Sequence, residues 1–258
     1  MSDAASPSIR PRDVTGTTIL LTGARGGIGR CIVAALLDAG AKRIIAADRQ
    51  PAAWESPLVE PVALDITDRD QVTALAARLA DQVDILINNA GQNRNAPFLQ
   101  TGDPDDAVQE MQVNYFGTLN MVRAFGSAMR RRGDGVIVNM LTLGSHVCFP
   151  NMGSYCASKA ALHSMTQSVR AELGYYGVDV IGIYPPAVDT RMSMQVPAAQ
   201  KMQPEDVAAH VVSALRDGVE DVFIGAAAGL YERARREPKA VETMMKVRVA
   251  PATAAQMK

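Results

Sequence analysis

Tyr155 and Lys159 stand four residues apart in the segment SYCASK, residues 154–159. On a helix this spacing places two side chains on the same face. The phenol of a free tyrosine has a pKa of ~10, and a neighbouring ammonium group favours its ionised form. A tyrosine whose pKa is lowered in this way can exchange a proton with a substrate near neutral pH. The same spacing occurs on ordinary exposed helix faces, so the meaning of the pair depends on the rest of the chain.

A glycine-rich segment follows the first predicted strand, which covers about residues 17–22. Gly23, Gly27 and Gly29 fall between this strand and a predicted helix that runs through Ala39. This strand–turn–helix context is typical of dinucleotide-binding loops, in which glycines permit a tight turn and a close backbone approach. The N-terminus of the helix offers free N–H groups to a pyrophosphate. A plain strand–helix turn is the alternative.

An acidic residue, Asp48, ends the second predicted strand, about 20 residues after the glycine loop. A carboxylate at this point can accept hydrogen bonds from the hydroxyls of an adenosine ribose, and it would repel a 2′-phosphate. The sequence therefore predicts NAD as the cofactor rather than NADP. Arg25 and Arg49 favour NADP instead, because either could reach a phosphate. A turn or helix-capping aspartate is the alternative for Asp48.

Apolar strands alternate with helical patterns along the whole chain. This alternation predicts an α/β fold with a single Rossmann-type, doubly wound parallel sheet of about seven strands flanked by helices. Functional side chains are then expected at the carboxyl ends of the strands. The predicted strands cover about residues 17–22, 43–48, 62–64, 83–87, 136–140, 179–184 and 222–224, and the predicted helices about 68–80, 105–132, 155–176, 204 onward and 227–247.

The composition fits one large globular domain. The 258 residues are 48% apolar and 21% charged, with a net charge of −1. We predict a single dinucleotide-binding catalytic domain over 15–250, a disordered N-terminal tail over 1–14 and a C-terminal tail over 251–258. The charge pattern suggests neither nucleic acid nor a membrane as a partner. Three cysteines without metal or disulfide spacing indicate a cytoplasmic protein, and no metal site is predicted.

These motifs together resemble the short-chain dehydrogenase/reductase family over about residues 15–225. The resemblance rests on six motifs in the order that the family shows. They are the loop TGARGGIG (22–29), DIT (65–67), NNAG (88–91), VNYFG (113–117) around Asn114, the pair Tyr155 and Lys159, and PPAVDT (185–190).

The resemblance implies a catalytic role for Asn114, Thr142, Tyr155 and Lys159. Tyr155 would be the general acid in reduction and the general base in oxidation, and Lys159 would lower its pKa and bind the nicotinamide ribose. Thr142 would bind the substrate oxygen, and Asn114 would hold a water that relays protons. The implied cofactor-binding residues are Gly23, Arg25, Gly27, Ile28, Gly29, Asp48, Arg49, Asp65, Ile66, Asn89, Ala90, Gly91, Tyr155, Lys159, Pro185, Val188 and Thr190.

Two positions depart from the family pattern. Thr142 stands where the family usually has the catalytic serine, and the nearby Ser145 would fit only if the alignment slipped by three residues. A threonine hydroxyl can donate and accept like that of serine, so we expect Thr142 to replace it. Pro186 follows Pro185 where a glycine is usual, which fixes the backbone φ angle there and stiffens the turn.

The predicted activity is hydride transfer between a nicotinamide and a secondary alcohol or ketone. The segment 191–203 is expected to form a lid over the substrate. Its apolar residues Met192, Met194, Val196 and Met202 favour a hydrophobic alcohol or ketone. An epimerase or dehydratase and a non-catalytic dinucleotide sensor are the alternatives.

Three further points stay open at the level of sequence. Arg94 could bind a substrate carboxylate or lie exposed in a loop, and His146 could be a second proton carrier. By the family's habit of pairing long helices, we expect a homotetramer or a homodimer. Four apolar residues are available for the core or for such an interface, namely Met111, Leu119, Met165 and Val169.

Overall fold

The computed structural model describes residues 9–99 and 103–247. Within them, seven strands form one sheet in which all neighbours are parallel, in the order β3-β2-β1-β4-β5-β6-β7. This confirms the predicted doubly wound α/β fold. The strands are β1 (Thr18–Thr22), β2 (Arg43–Asp48), β3 (Val59–Ala63), β4 (Ile85–Asn88), β5 (Gly135–Met140), β6 (Val178–Tyr184) and β7 (Asp221–Phe223).

Helices cover both faces of this sheet. On one face α1 and α5 bury their apolar residues, and on the other face α2, α3 and α4 do so. The helices are α1 (Gly27–Asp38), α2 (Arg69–Leu79), the long rod α3 (106–132), α4 (Gly153–Gly174), α5 (Pro204–Asp217), α6 (Ala226–Arg236) and α7 (Pro238–Val247).

The strand order reverses between β1 and β4. The chain runs outward from β1 to β3 and then returns to the other side of β1, where β4 begins the second half of the sheet. In open parallel sheets the carboxyl ends of the strands form a ligand-binding crevice at such a point. The glycine loop after β1 and the segment after β4 meet there.

The rod α3 is not a uniform α-helix. Two π-helical segments, Gln112–Gly117 and Val122–Gly126, lie between its α-helical parts Asp106–Met111, Thr118–Met121 and Ser127–Arg132. Short π segments inside helices frequently mark functional sites, because they redirect side chains and backbone groups. Asn114 lies in the first of these segments.

Residues 9–14 are ordered against the domain, so the predicted disordered tail is wrong for this part of the range 1–14. Ile9 is buried, and the Arg12 N–H donates to the Leu215 carbonyl oxygen at 2.8 Å. The Arg12 guanidinium also binds the Asp134 carboxylate through two hydrogen bonds of 2.6 and 3.1 Å. The rest of that range, 1–8, lies outside the described residues, as does the predicted C-terminal tail 251–258.

Two predicted elements differ in detail. β3 is Val59–Ala63 rather than about 62–64, and Pro61 lies within it. Because β3 is an edge strand, it tolerates a proline without losing an interior ladder bond. The predicted last helix, 227–247, is two helices, because Pro238 cannot continue α6.

Two of the four apolar residues considered for an interface are core residues. Met165 and Val169 are buried within the single chain, where they pack with the helices on one face of the sheet. Met111 and Leu119 are only partly buried, and the large apolar residues exposed on α3 are Val108 and Phe116. Among the described residues, no helix is long and apolar enough to span a membrane.

Candidate active site

The glycine loop packs so closely that side chains would clash. Gly23 has a φ of +66°, and a Cβ there would lie 2.8 Å from Cα of Ala90. A Cβ at Gly29 would lie 2.3 Å from the Gly23 carbonyl oxygen. These two glycines therefore keep the backbone of the loop tight against the start of α1 and the segment after β4.

The N-terminus of α1 fits a pyrophosphate. Its N-cap residue, Gly26, makes no side-chain capping hydrogen bond, and the first turn contains no acidic residue. The free N–H groups and the positive end of the helix dipole are thus left for an anion. Gly27 and Ile28 begin this helix, and the Thr190 methyl carbon would lie 2.8 Å from a Cβ at Gly27. Thr190 therefore closes this end of the cradle.

Asp48 lies beside the glycine loop, as predicted from its place at the end of β2. Its carboxylate accepts hydrogen bonds from the Arg25 N–H at 3.2 Å and from the Gln50 N–H at 3.1 Å. The Arg25 guanidinium hydrogen-bonds to Gln50, and Arg49 is exposed. The two arginines that could favour a 2′-phosphate are therefore at the same edge as the carboxylate that would repel it.

The segment after β4 is fastened to the glycine loop. The Asn89 side chain donates to the carbonyl oxygens of Thr22 and Gly23, both at 3.1 Å. The Thr22 hydroxyl in turn accepts from the Asn89 and Ala90 N–H groups, both at 3.1 Å. Asn89 and Ala90 thus shape the floor of the cofactor cleft through the backbone of the first loop.

Asp65 and Ile66 lie after β3, where the adenine is expected. The Asp65 carboxylate accepts from both the N–H and the hydroxyl of Thr67, at 2.9 and 2.7 Å. The Ile66 side chain is buried against Gly117 of α3. Their adenine contact stays a prediction, and the side chain of Ile66 also has a packing role.

Tyr155 and Lys159 lie in the first turns of α4, next to the carboxyl end of β5. The buried Lys159 Nζ donates to the Met140 carbonyl oxygen at 2.8 Å. A Cβ at Gly91 would lie 3.1 Å from the Asn114 side-chain oxygen and 3.5 Å from this Nζ, so Gly91 lies beside both groups. Burial lowers the pKa of Lys159 to about 8.

The pKa of Tyr155 is shifted upward, against the expectation from sequence. Burial is the main cause, Cys156 and the Glu110 carboxylate add to it, and the side chain of Thr142 acts in the opposite direction. Lys159 does not offset these effects, because it is itself desolvated and directs its hydrogen bond to Met140. The protein alone thus keeps the Tyr155 hydroxyl protonated.

The loop after β5 distinguishes Thr142 from Ser145. The Thr142 side chain lowers the pKa of Tyr155. Its hydroxyl accepts a hydrogen bond from the Gly144 N–H at 3.3 Å and lies 3.5 Å from the Pro185 carbonyl oxygen. The Ser145 hydroxyl is buried and has no hydrogen-bond partner among the described residues. The structure therefore brings Thr142, and not Ser145, to the tyrosine, while the buried Pro185 forms the wall behind it.

Asn114 joins three elements around the same point. Its side chain accepts from the Gln92 N–H and donates to the Gln92 carbonyl oxygen and the Ser158 hydroxyl, all at 2.9 Å. Its own carbonyl oxygen accepts from Thr118 at 3.0 Å. Asn114 thus holds the segment after β4 against α4, and its predicted water relay stays a prediction.

The segment after β6 closes the other side of the cleft. Val188 is buried, and its carbonyl oxygen accepts hydrogen bonds from the hydroxyls of Ser193 and Thr190. In the predicted lid 191–203, Met192 and Met194 are exposed, and Gln195 donates to the Asn95 side chain at 2.5 Å. The lid therefore reaches across to the segment after β4.

Sequence reasoning missed a buried carboxylate on α3. Glu110 is fully buried, and it accepts hydrogen bonds from the Arg94 N–H and the Ser154 hydroxyl, both at 2.6 Å. The Arg94 guanidinium binds Asp106 at 2.9 Å, so it is occupied within this loop. The signal that could have revealed Glu110 is a single acidic residue one turn before Asn114.

His146 belongs to an aromatic cluster that also contains His163, Tyr184, Phe223 and Tyr231. The centre of its ring lies 4.3 Å from that of His163 and 4.8 Å from that of Tyr231. Its buried Nε2 has no hydrogen-bond partner within the part of the chain that the structure describes. Burial is the main cause that lowers the pKa of His146 to about 4, and His163 adds to it. The imidazole is therefore neutral near pH 7, which argues against a second proton carrier.

We expect the chain to lose stability in mild acid because of His146. An unfolded histidine has a pKa of ~6.5, whereas the folded group stays neutral down to about 4. Between these pH values the unfolded state binds the extra proton, so the free energy of unfolding should fall, by about 1–2 kcal/mol once solvent screening of the half-buried imidazole is allowed for. His146→Phe should flatten this decline in urea unfolding followed at several pH values.

The control for this acid effect is His210→Gln, which changes an exposed histidine of α5. It should leave the pH dependence of unfolding as in the unchanged protein. A decline of the same steepness in the His146→Phe protein would show that other groups cause the acid sensitivity.

Comparisons with known proteins agree with this geometry. The family model described as short chain dehydrogenase matches residues 17–201. A fatty acyl-CoA reductase of Mycobacterium tuberculosis is 33% identical over 207 residues, which cover 72% of this chain and 68% of the relative. A sorbitol dehydrogenase of Cereibacter sphaeroides is 37% identical over 184 residues, which cover 67% and 71%.

A solved structure is similar over almost the whole chain. It is a short chain dehydrogenase of Burkholderia cenocepacia in complex with NADP, with a TM-score of 0.87 and 38% identity. The alignment covers 93% of this chain and 100% of the other.

Proposed function

The chain belongs to the short-chain dehydrogenase family, and from this premise we propose that it interconverts a secondary alcohol and a ketone with a nicotinamide cofactor. Membership makes it an oxidoreductase with a Rossmann-type nucleotide-binding fold. The observation that carries the proposal is the convergence of Tyr155, Thr142, Lys159 and Asn114 at the carboxyl ends of β4 and β5. This convergence favours catalysis over a non-catalytic sensor.

Tyr155 is the proton carrier of the proposed reaction. In reduction its hydroxyl donates a proton to the substrate oxygen, and in oxidation the phenolate takes one. Thr142 lies beside this hydroxyl, so both can address the same substrate oxygen. Lys159, held by Met140, supplies a nearby ammonium group with a pKa of about 8, which can exchange protons near neutral pH.

The residues present fit a nicotinamide dinucleotide. Gly23 and Gly29 form the cradle, the uncapped N-terminus of α1 receives the pyrophosphate, and Asp48 receives the adenosine ribose. A bound oxidised nicotinamide would supply the hydride acceptor, and its positive charge would oppose the upward pKa shift of Tyr155.

The proposed substrate is a hydrophobic secondary alcohol or ketone. Exposed Met192 and Met194 in the lid and exposed Phe98 after β4 supply apolar, adaptable surface around the cleft. The relative that is named a fatty acyl-CoA reductase is compatible with an apolar substrate, and the sorbitol dehydrogenase is compatible with a secondary alcohol.

The experiment that tests this function follows the absorbance of the reduced nicotinamide. The purified protein is incubated with NAD or NADP and a panel of secondary alcohols of increasing chain length. Oxidation that becomes more efficient with apolar chain length supports the proposal. Cofactor binding without turnover of any alcohol or ketone would favour a sensor instead.

We expect NAD to be preferred over NADP, and Asp48→Ala to shift the preference toward NADP by at least about tenfold. In this proposal the Asp48 carboxylate accepts from the ribose hydroxyls, each bond worth ~1.5–3 kcal/mol. A 2′-phosphate ~4 Å from the carboxylate would cost ~4 kcal/mol at an effective dielectric constant of ~20. The measurement is kcat/KM for both cofactors with one substrate.

The matched control is Asp65→Ala, which removes a carboxylate on the adenine side rather than at the ribose. Asp65→Ala should change kcat/KM by the same factor for NAD and for NADP. Comparable kcat/KM of the unchanged protein with NAD and with NADP would contradict the preference. The similar Burkholderia protein was solved in complex with NADP, so both cofactors have to be measured.

A homotetramer, or a homodimer, and a cytoplasmic location belong to the same proposal. The exposed apolar residues Val108 and Phe116 on α3 support an association through this helix. The three free cysteines support a reducing compartment. A monomer in sedimentation at micromolar concentration would contradict the assembly.

A further inference from the structure

We propose that Glu110 is a positioning residue for Tyr155, which clamps the segment after β4 to the first turn of α4 and sets a buried carboxylate against the turn that carries the catalytic tyrosine. The inference rests on the proposed function, because it assigns Glu110 to the reaction at Tyr155. It goes beyond the motifs of the family, since Glu110 belongs to none of those quoted above.

The clamp is built from two short hydrogen bonds on the two oxygens of one carboxylate. Oε1 accepts from the Arg94 N–H and Oε2 accepts from the Ser154 hydroxyl, both at 2.6 Å. Ser154 directly precedes Tyr155 in α4. Glu110 therefore joins α3, the loop that lines the substrate side and the turn that carries the tyrosine.

Burying a carboxyl group at position 110 costs folding stability. Glu110 is fully buried, and none of the salt bridges found among residues 9–99 and 103–247 involves it. The nearest basic residue in its contacts, Arg94, offers only its backbone N–H, because its guanidinium binds Asp106. The two hydrogen bonds from neutral donors are therefore what holds the Glu110 carboxyl group in this buried position.

Several titratable groups surround Tyr155. Cys156 on α4 and Glu110 on α3 raise its pKa, and Cys148 in the loop after β5 lies close to Cys156. Lys159 follows one turn later on α4. Of these groups, Glu110 is the one that is both a carboxylate and hydrogen-bonded to the tyrosine's own turn, so its charge can be altered while the turn is kept.

Glutamine suits this test because it can keep both contacts. Its carbonyl oxygen can accept from the Arg94 N–H, and its amide can donate to the Ser154 oxygen. Ser154 can then direct its hydrogen to the Ala96 carbonyl oxygen, which already lies 3.2 Å from it. Glu110→Gln thus removes the charge and leaves the clamp.

The experiment measures kcat/KM for alcohol oxidation against pH in the full-length protein. In this pH profile, the rise in kcat/KM that follows ionisation of Tyr155 should move to lower pH by about half a unit to one unit in Glu110→Gln. The reason is that the phenolate forms more easily without the negative charge. The rate on the acidic side should rise about three- to tenfold. Thermal unfolding checks that the variant is folded.

Asp106→Asn is the matched control, because it removes a negative charge one turn earlier on the same helix without touching α4. It should leave the pH profile unchanged. The proposal is overturned if folded Glu110→Gln shows the unchanged profile, or if Asp106→Asn moves the profile equally.

If Glu110→Gln does not fold, Ser154→Ala tests the clamp from the other side. It should lower kcat about tenfold with an unchanged KM for the cofactor, because the tyrosine turn loses its anchor. Unchanged kcat in this variant would then overturn the proposal. The proposed function fails separately, if turnover in the unchanged protein does not depend on Tyr155.

Discussion

Replacing Tyr155 by phenylalanine should abolish turnover while the protein still folds and binds NAD. The change removes one hydroxyl from a ring that is already packed in the first turn of α4, so the glycine cradle and Asp48 are untouched. General acid–base catalysis typically contributes 10²–10⁴-fold to the rate, and a loss in this range is expected for kcat. The measurements are steady-state kinetics and NAD titration by fluorescence.

The matched control makes the same substitution elsewhere. Tyr175 follows the C-terminal end of α4 and is 89% exposed, so Tyr175→Phe should behave like the unchanged protein. Retention of more than about a tenth of the activity in Tyr155→Phe would remove Tyr155 from the chemistry. The proposed reaction would then need another proton carrier.

The central architecture was predictable because its signals are local in sequence. Continuous apolar strands indicate a sheet buried on both faces, and glycines between a strand and a helix indicate a tight turn. β3 was less visible, since Pro61 interrupts its pattern and is tolerated only because the strand lies at the sheet edge. Edge position is a property of the assembled sheet and not of the segment.

Residues 9–14 show a second limit of local reasoning. Their composition is typical of a disordered tail, yet Arg12 binds Asp134, which is 122 residues away in sequence. Burial of Ile9 and the bond from Arg12 to Leu215 complete this contact. A partner so distant cannot be inferred from the segment itself.

The catalytic roles of Tyr155, Lys159 and Thr142 follow from spacing and resemblance and stay predictions, and the electrostatics of these residues could not be read from the sequence. The pKa of Tyr155 could not be inferred in this way, because burial raises it most, and the carboxylate of Glu110, which is far away in sequence, adds to this shift. Desolvation depends on everything that packs around a group, whereas sequence shows only its neighbours along the chain.

Thr142→Ala should lose most of the activity, and Thr142→Ser should keep it. If the Thr142 hydroxyl donates to the oxygen that gains charge in reduction, its removal costs ~10²–10³ in turnover. Alanine also removes the branched shape of the side chain, so Thr142→Val, which keeps this shape and likewise lacks the acceptor of the Gly144 N–H, is the second variant. Both variants lacking the hydroxyl should be impaired to a similar extent in kcat for ketone reduction.

Ser145→Ala is the matched control in the same loop. The Ser145 hydroxyl is buried and finds no partner in residues 9–99 and 103–247, so its removal should leave activity unchanged and stability unchanged or slightly higher. An inactive Ser145→Ala with an active Thr142→Ala would mean that the alignment of this loop is displaced by three residues. The substrate oxygen would then lie nearer the aromatic cluster of His146, and the hydrophobic pocket would have to be sought on that side.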